Sequence, residues 1–288
     1  MKFIKKIKGF FEKVIWKKKG LLYSLLRVLS SSITEFINKN GFDKASVLTF
    51  YTLLTIIPLF AIAFGIAQAF GFAEMLEQQI KEYFASQPQV ADKLIEFSNS
   101  TLKSTLGGVI ASLGLITLFW TVLKTIGNLE DYFNGIWETS KPRTLLKRTL
   151  RYTPIILLFP FFLVGPSSAV IFSIDMTQNI AYVGPIIKFL FSFASYVISW
   201  AFLSFLYIYL PNKKIPWKEA FLGALFTTII FYIWQWFYIT FQVQAASYGA
   251  IYGGFAALPL FLLWLNYSWM IILFGARLTR EINIEAKR

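Results

Sequence analysis

The sequence contains no cysteine and no histidine. Disulfides, thiolate nucleophiles, zinc sites of the usual kind and imidazole general bases are therefore excluded. Charge is also scarce. Only 15% of residues are Asp, Glu, Lys or Arg, against about 25% in soluble domains. Acidic residues are the rarer kind, 15 against 28 basic ones, which leaves a net charge of +13. Apolar residues take their place, with 56% of the 288 residues hydrophobic and 19% aromatic. A disordered chain, a disulfide scaffold and an ordinary soluble domain do not fit these figures. For most of this chain the natural solvent is lipid.

Charge-free runs divide the chain. Residues 45–73, 104–123, 152–174, 189–212 and 220–276 carry no charged side chain. A spanning helix needs about 20 apolar residues. The first four runs hold one span each. The last holds two, separated near Gln242-Val243-Gln244-Ala245-Ala246-Ser247-Tyr248-Gly249. The expected fold is an all-α integral membrane protein with six transmembrane helices, near 46–70, 105–125, 152–173, 186–210, 217–240 and 251–276. Of the 28 Lys and Arg residues, 24 fall on alternate segments between these spans. Basic loops stay in the cytoplasm, so the expected topology is N-in/C-in. The net charge is then a record of topology and does not require a nucleic-acid partner. Residues 1–20 hold lysines throughout and no apolar core of a cleavable signal peptide, so none is expected there.

The non-spanning pieces have their own patterns. Residues 1–44 read as a cytoplasmic amphipathic N-terminal region. Phe3, Ile4, Ile7, Phe10, Phe11, Val14 and Ile15 recur at helical spacing, and Lys2, Lys5, Lys6, Lys8, Lys13 and Lys17 fall outside their arc. With Lys18 and Lys19 these lysines form a basic surface suited to anionic lipid, so the bilayer itself is the expected partner. A helix packed on the rest of the protein is the alternative. Residues 21–39 repeat the pattern with Leu22, Leu25, Leu26, Leu29, Ile33, Phe36 and Ile37, and Asp43 is placed to cap the first span. Residues 72–103 read as a helical extracytoplasmic cap, with amphipathic stretches either side of Pro88. Residues 277–288 are the cytoplasmic tail.

Inside the spans there is essentially no ionisable group. Lys124 and Arg277 stand at span ends, from which they can snorkel to the headgroups. Thr49, Tyr51, Thr52, Thr55 and Gln68 in the first span, Thr227, Thr228 and Gln235 in the fifth, and Asn266 and Ser268 in the sixth suit helix–helix contacts more than substrate contacts. Prolines interrupt spans or their ends at Pro58, Pro154, Pro160, Pro185 and Pro259. Gly249 and Gly253 make a small-residue pair ahead of Pro259. Together they suggest either a span entered through loosely wound backbone, as in many transporters, or a packing motif with a mild kink.

The stretch Asp43-Lys44-Ala45-Ser46-Val47-Leu48-Thr49-Phe50-Tyr51-Thr52-Leu53-Leu54, leading to Pro58-Leu59, resembles the opening span of the YihY/BrkB family. So does Asn134-Gly135-Ile136-Trp137. The most specific segment is Tyr248-Gly249-Ala250-Ile251-Tyr252-Gly253-Gly254-Phe255-Ala256-Ala257-Leu258-Pro259, continuing to Leu263-Trp264 and Phe274-Gly275-Ala276. The likeness covers about residues 20–280. It implies a six-helix protein of the bacterial cytoplasmic membrane. The family once carried the label ribonuclease BN, regarded as mistaken, and some members are linked to serum resistance or envelope lipid export. The family usually has an acid after the closing Gly-Ala, where this chain has Arg277, so no role of that acid carries over.

Three functions are compatible with these residues. The first is a transporter or lipid translocase of envelope-related substrate, its pathway or broken helix marked by Tyr51, Pro58, Tyr248, Gly249, Tyr252, Gly253, Gly254 and Pro259. The second is a non-transporting membrane scaffold for envelope assembly, with a homo-oligomer or an envelope protein as partner. The third and weakest is a ribonuclease. Phosphodiester cleavage wants clustered carboxylates around metal, or a histidine pair. The chain offers only Glu130 and Asp131, adjacent and so on different helix faces, with Glu138 nearby. No catalytic group, metal site or cofactor is expected.

Overall fold

The computed structural model describes residues 20–69, 71–83, 88, 91–93, 95–96, 99–100, 109–139, 147–156, 158, 184–247 and 253–288. Among these, every regular element is helical. In chain order they are α1 (Leu21–Asn38), α2 (Gly41–Ala69), α3 (Ala73–Tyr83), α4 (Val109–Ile136), α5 (Gly184–Tyr209), α6 (Trp217–Ser247) and α7 (Gly253–Ala286). Residues 147–156 are helical as well. Lys2, Lys5, Lys6, Lys13, Lys17, Lys18 and Lys19, and likewise Tyr248, Gly249 and Tyr252, lie outside the described residues, as does most of the expected third span.

The apolar composition appears as outward-facing apolar surface. On α6, Trp236 is 69% exposed and Ile233 is 61% exposed, with Phe237 and Ile239 beside them. In water each exposed side chain would forgo about 1.5–3 kcal/mol of burial; lipid removes that cost. Among the described residues, Trp217–Phe241 and Pro259–Ala286 are helical stretches long and apolar enough to cross a membrane. α5 adds a shorter apolar stretch, Phe193–Tyr209.

The chain divides into two packed units. The first holds Met1–Thr49, Glu130–Lys141 and Leu203–Arg288. Its interior is made of Ala45, Leu48, Phe133, Tyr207, Leu210, Leu273 and Ala276, all buried. Here α7 packs along α6 and against α1. The second holds Phe50–Leu129 and Pro142–Phe202. In it α3 buries Leu76 and Ile80 on one face, and Ala91 and Ile95 are buried too. Asn99 Nδ2 donates to Glu77 Oε1 at 3.1 Å, which ties the segment after Pro88 back to α3.

The turn between α1 and α2 is two residues long. The Lys39 amide donates to the Glu35 carbonyl at 3.0 Å, and the Asn40 amide to that of Ile37 at 3.2 Å. Asn40 takes the left-handed conformation, φ 54°, which Asn tolerates better than most residues. Gly41 then opens α2 beneath the Phe36 ring; a Cβ there would lie 2.5 Å from that ring. Phe36 has little room to yield, because Phe42 and Phe274 meet it edge-on at 5.2 and 5.9 Å. Asp43 lies in the first turn of α2 and not at its cap, because the helix opens at Gly41. From there its charge complements the helix dipole.

α2 runs without interruption through Pro58, and α7 through Pro259. Gly253 and Gly254 are the first two residues of α7, so the backbone there is already helical when it reaches the proline.

Candidate functional site

The charged end of the first unit forms a small basic pocket. Phe36, Ile136 and Leu273 give it an apolar wall, and Gly41 contributes the start of α2. Lys39, Lys44, Arg277 and Tyr132 supply its polar lining. Helix geometry explains the convergence. Lys39 stands in the α1–α2 turn, Lys44 one turn into α2, Tyr132 in the last turns of α4, and Arg277 two turns from the end of α7. The Lys44 ammonium sits 5.7 Å from the centre of the Tyr132 ring, within cation–π range.

Arg277 departs from the sequence expectation. At the end of an apolar run it should snorkel to the headgroups. Instead its side chain is only 2% exposed. Its Nη1 lies 3.9 Å from Glu35 Oε2, too far for a hydrogen bond, and that nitrogen makes no hydrogen bond among the described residues. The other nearby acids are engaged by Arg280. Its Nη2 is 2.9 Å from Glu138 Oε2, and its Nη1 is 3.9 Å from Glu281 Oε1. The expectation failed because a one-dimensional charge map cannot show that α1 and the end of α4 cover this stretch of α7. The crowding of cations is felt by Lys44. Burial, and then the charges of Arg277 and Lys39, hold its pKa below the ordinary lysine value.

Behind the pocket, α6 and α7 meet along a seam that sequence reasoning passed over. Gly223 faces Thr279, and Gly275 faces Thr227. Each glycine is followed four residues later by the threonine that meets the opposite glycine, so two Gly-x-x-x-Thr segments interlock antiparallel. A Cβ on either glycine would collide with the facing threonine hydroxyl. Each threonine donates to the carbonyl of its own glycine, Thr227 to Gly223 at 2.7 Å and Thr279 to Gly275 at 2.9 Å. No hydroxyl hydrogen is left unsatisfied in the contact. Tyr207 closes the seam from α5, donating to the Ile272 carbonyl at 2.8 Å. Farther along α7, Asn266 Nδ2 donates to Ser46 Oγ at 3.2 Å and to Thr49 Oγ1 at 3.3 Å on α2.

The other predicted site residues are elsewhere. Tyr51 and Pro58 lie on α2 in the second unit, with Tyr51 half-buried and edge-on to Phe50 at 5.9 Å. Gly253, Gly254 and Pro259 open α7 in the first unit. None of these five lines the basic pocket. Glu130, Asp131 and Glu138, the acids a metal-dependent nuclease would need, do not gather: among the described residues no three acidic side chains come together as a metal site would require.

The sequence profile of the family described as Virulence factor BrkB matches residues 32–288. The chain belongs to the BrkB family. Curated relatives share its length unequally. A UPF0761 membrane protein of Paraburkholderia xenovorans (strain LB400) is 32% identical over 83% of this chain and 56% of its own length. One from Psychrobacter sp. (strain PRwf-1) is 31% identical over 92% of this chain and 49% of its own length. One from Haemophilus influenzae (strain 86-028NP) is 29% identical over 83% of this chain and 88% of its own length. The chain thus spans about half the length of the first two. No solved structure matches it. The BrkB relatives are named as membrane proteins, in agreement with the exposed apolar helices described above.

The BrkB-like segment Asn134-Gly135-Ile136-Trp137 has a structural task. Asn134 Oδ1 accepts from the Asn212 amide at 2.6 Å, and Thr139 Oγ1 donates to the Asn212 carbonyl at 3.4 Å. Trp137 is buried, with the Lys213 ammonium 5.8 Å from its ring centre. The motif fastens the α5–α6 loop to the end of α4, and so fixes the wall of the pocket that Tyr132 and Ile136 line.

Proposed function

We propose that this BrkB-family protein is a six-span, non-enzymatic protein of the bacterial cytoplasmic membrane that moves an amphiphilic, anionic envelope substrate. Both termini and the basic pocket face the cytoplasm, and residues 72–103 cover the outer face. The reading is supported chiefly by one combination within the first unit. Lipid-facing flanks on α6 enclose a polar interior: Asn266 with Ser46 and Thr49, Tyr207 with the α6–α7 seam, and Arg277 at the charged end. A substrate with a charged head and an apolar tail needs both environments. The pathway residues Tyr51, Pro58, Tyr248, Gly249, Tyr252, Gly253, Gly254 and Pro259 belong to this proposal.

Reconstitution in vesicles tests it. Headgroup-labelled phospholipid on the inner leaflet should become accessible to an external quencher faster with the protein than without. The gain should be lost in Gly253→Leu with the protein still folded. Wild-type translocation by Gly253→Leu, or no gain with any anionic lipid, would count against the reading.

A scaffold role has its own support. Leu22, Leu25, Leu29 and Ile33 form an exposed stripe on α1, with Leu22 67% exposed. Stoichiometric co-purification of an envelope protein, lost in Leu25→Asp/Leu29→Asp, would favour that role.

A further inference from the structure

We infer that the basic pocket is a phosphate-recognition site, taking a phosphate group from Lys39, Lys44 and Arg277. Three observations converge on it. The first is the buried arginine: Arg277 lines the pocket and is 2% exposed, and its Nη1 makes no hydrogen bond among the described residues. A buried guanidinium with an unmet donor is costly even with acids nearby, and it is the side chain best matched to phosphate oxygens. The second is the charge count. Lys39 and Lys44 join Arg277 in the lining, whereas among the described residues only Glu35 comes within ion-pair distance of it, at 3.9 Å. Glu138 and Glu281 are drawn to Arg280. The third is the first turn of α2. Gly41 lines the pocket, and α2 is 29 residues long. Its N-terminal amides carry partial positive charge toward whatever sits there.

Size limits the ligand. The pocket is small and half-open to solvent, far below the roughly 300–1,000 Å3 of whole small-molecule sites. It has room for a single compact head such as phosphate, and acyl chains would lie outside it, against the apolar surface. The source is therefore a phospholipid headgroup or a soluble phosphate, which share this chemistry. The inference deepens the translocation reading, because the pocket would hold the head of the moved lipid. It does not depend on movement, however, and binding is measured without transport.

The test uses the full chain in phosphate-free maltoside micelles, titrated calorimetrically with inorganic phosphate in one arm and short-chain phosphatidic acid in the other. Short-chain diacylglycerol is the control. Saturable binding is expected in at least one arm and none to diacylglycerol. Lys39→Gln/Lys44→Gln, at the half-open rim, should weaken it by about tenfold or more, since a hydrogen bond to a charged group is worth about 1.5–3 kcal/mol. Arg277→Lys should weaken it less than Arg277→Gln. If Arg277→Gln fails to fold, the rim variant decides. Response in the phosphate arm alone identifies a soluble anion, and in the phosphatidic acid arm alone a lipid head. Absence of binding in both arms, or equal binding by the rim variant, overturns the inference. A protein that binds but does not move lipid retains the pocket and loses the translocation reading; the reverse result does the opposite.

Discussion

Single residues decide the tightest places in this molecule. Gly41 is needed because Phe36 lies across it, held by Phe42 and Phe274. Gly41→Ala should therefore lower stability by about 1–3 kcal/mol, the usual cost of overpacking, seen as an earlier thermal transition in detergent. An unchanged transition would mean that the Phe36 ring turns aside freely. Arg277 and Lys44 show how little a residue's neighbours in sequence reveal. Arg277 follows an apolar run and reads as a snorkelling cation, yet α1 and α4 enclose it. Lys44 reads as one more inside-facing charge, yet it sits over Tyr132 in the company of two other cations.

Between elements, a few specific contacts are set within a mainly apolar interior. The α6–α7 seam predicts a coupled pair of substitutions. Gly223→Ala should destabilise by about 1–3 kcal/mol, and adding Thr279→Gly should recover part of that loss, a coupling visible in a double-mutant cycle. Simple additivity would show that the two residues do not meet. The docking of α1 on α7 predicts a pH effect. The Arg27 side chain forms an ion pair with Glu285, with Nε 2.9 Å from Oε1. The hydrogen bond from Arg27 holds the Glu285 carboxyl below its ordinary range. A depressed carboxylate stabilises the fold above its unfolded pKa, near about 4.3, and loses that contribution as pH falls through the folded value. The melting difference between wild type and Glu285→Gln should therefore be full at neutral pH and shrink as pH falls below about 4.3. A difference independent of pH would assign the effect to packing. The helices themselves were legible in the sequence, because a charge-free run long enough to span lipid has no good alternative to helix. The seam was not. Gly-x-x-x-Thr is common, and only the facing helix shows that Gly223 and Gly275 each receive a threonine.

For the molecule as a whole, the absence of cysteine is an experimental gift: every introduced thiol is unique. In intact spheroplasts, Glu82→Cys on α3 should react with a membrane-impermeant maleimide, and Lys214→Cys in the α5–α6 loop should be protected until the membrane is opened. Both positions are exposed on the protein. Labelling of Lys214→Cys in intact spheroplasts would reverse the proposed topology.

The sequence by itself determined the apolar solvent and the helical class. These are sums over many residues, and burial of apolar area and exclusion of charge are insensitive to which neighbour does the covering. The tertiary structure alone decided which cations share a pocket, which glycines receive a side chain, and that the Asn134 segment fastens a loop. Those are pairwise meetings of residues up to 238 positions apart, as between Lys39 and Arg277. No local pattern encodes such a meeting, because it exists only once the helices have packed.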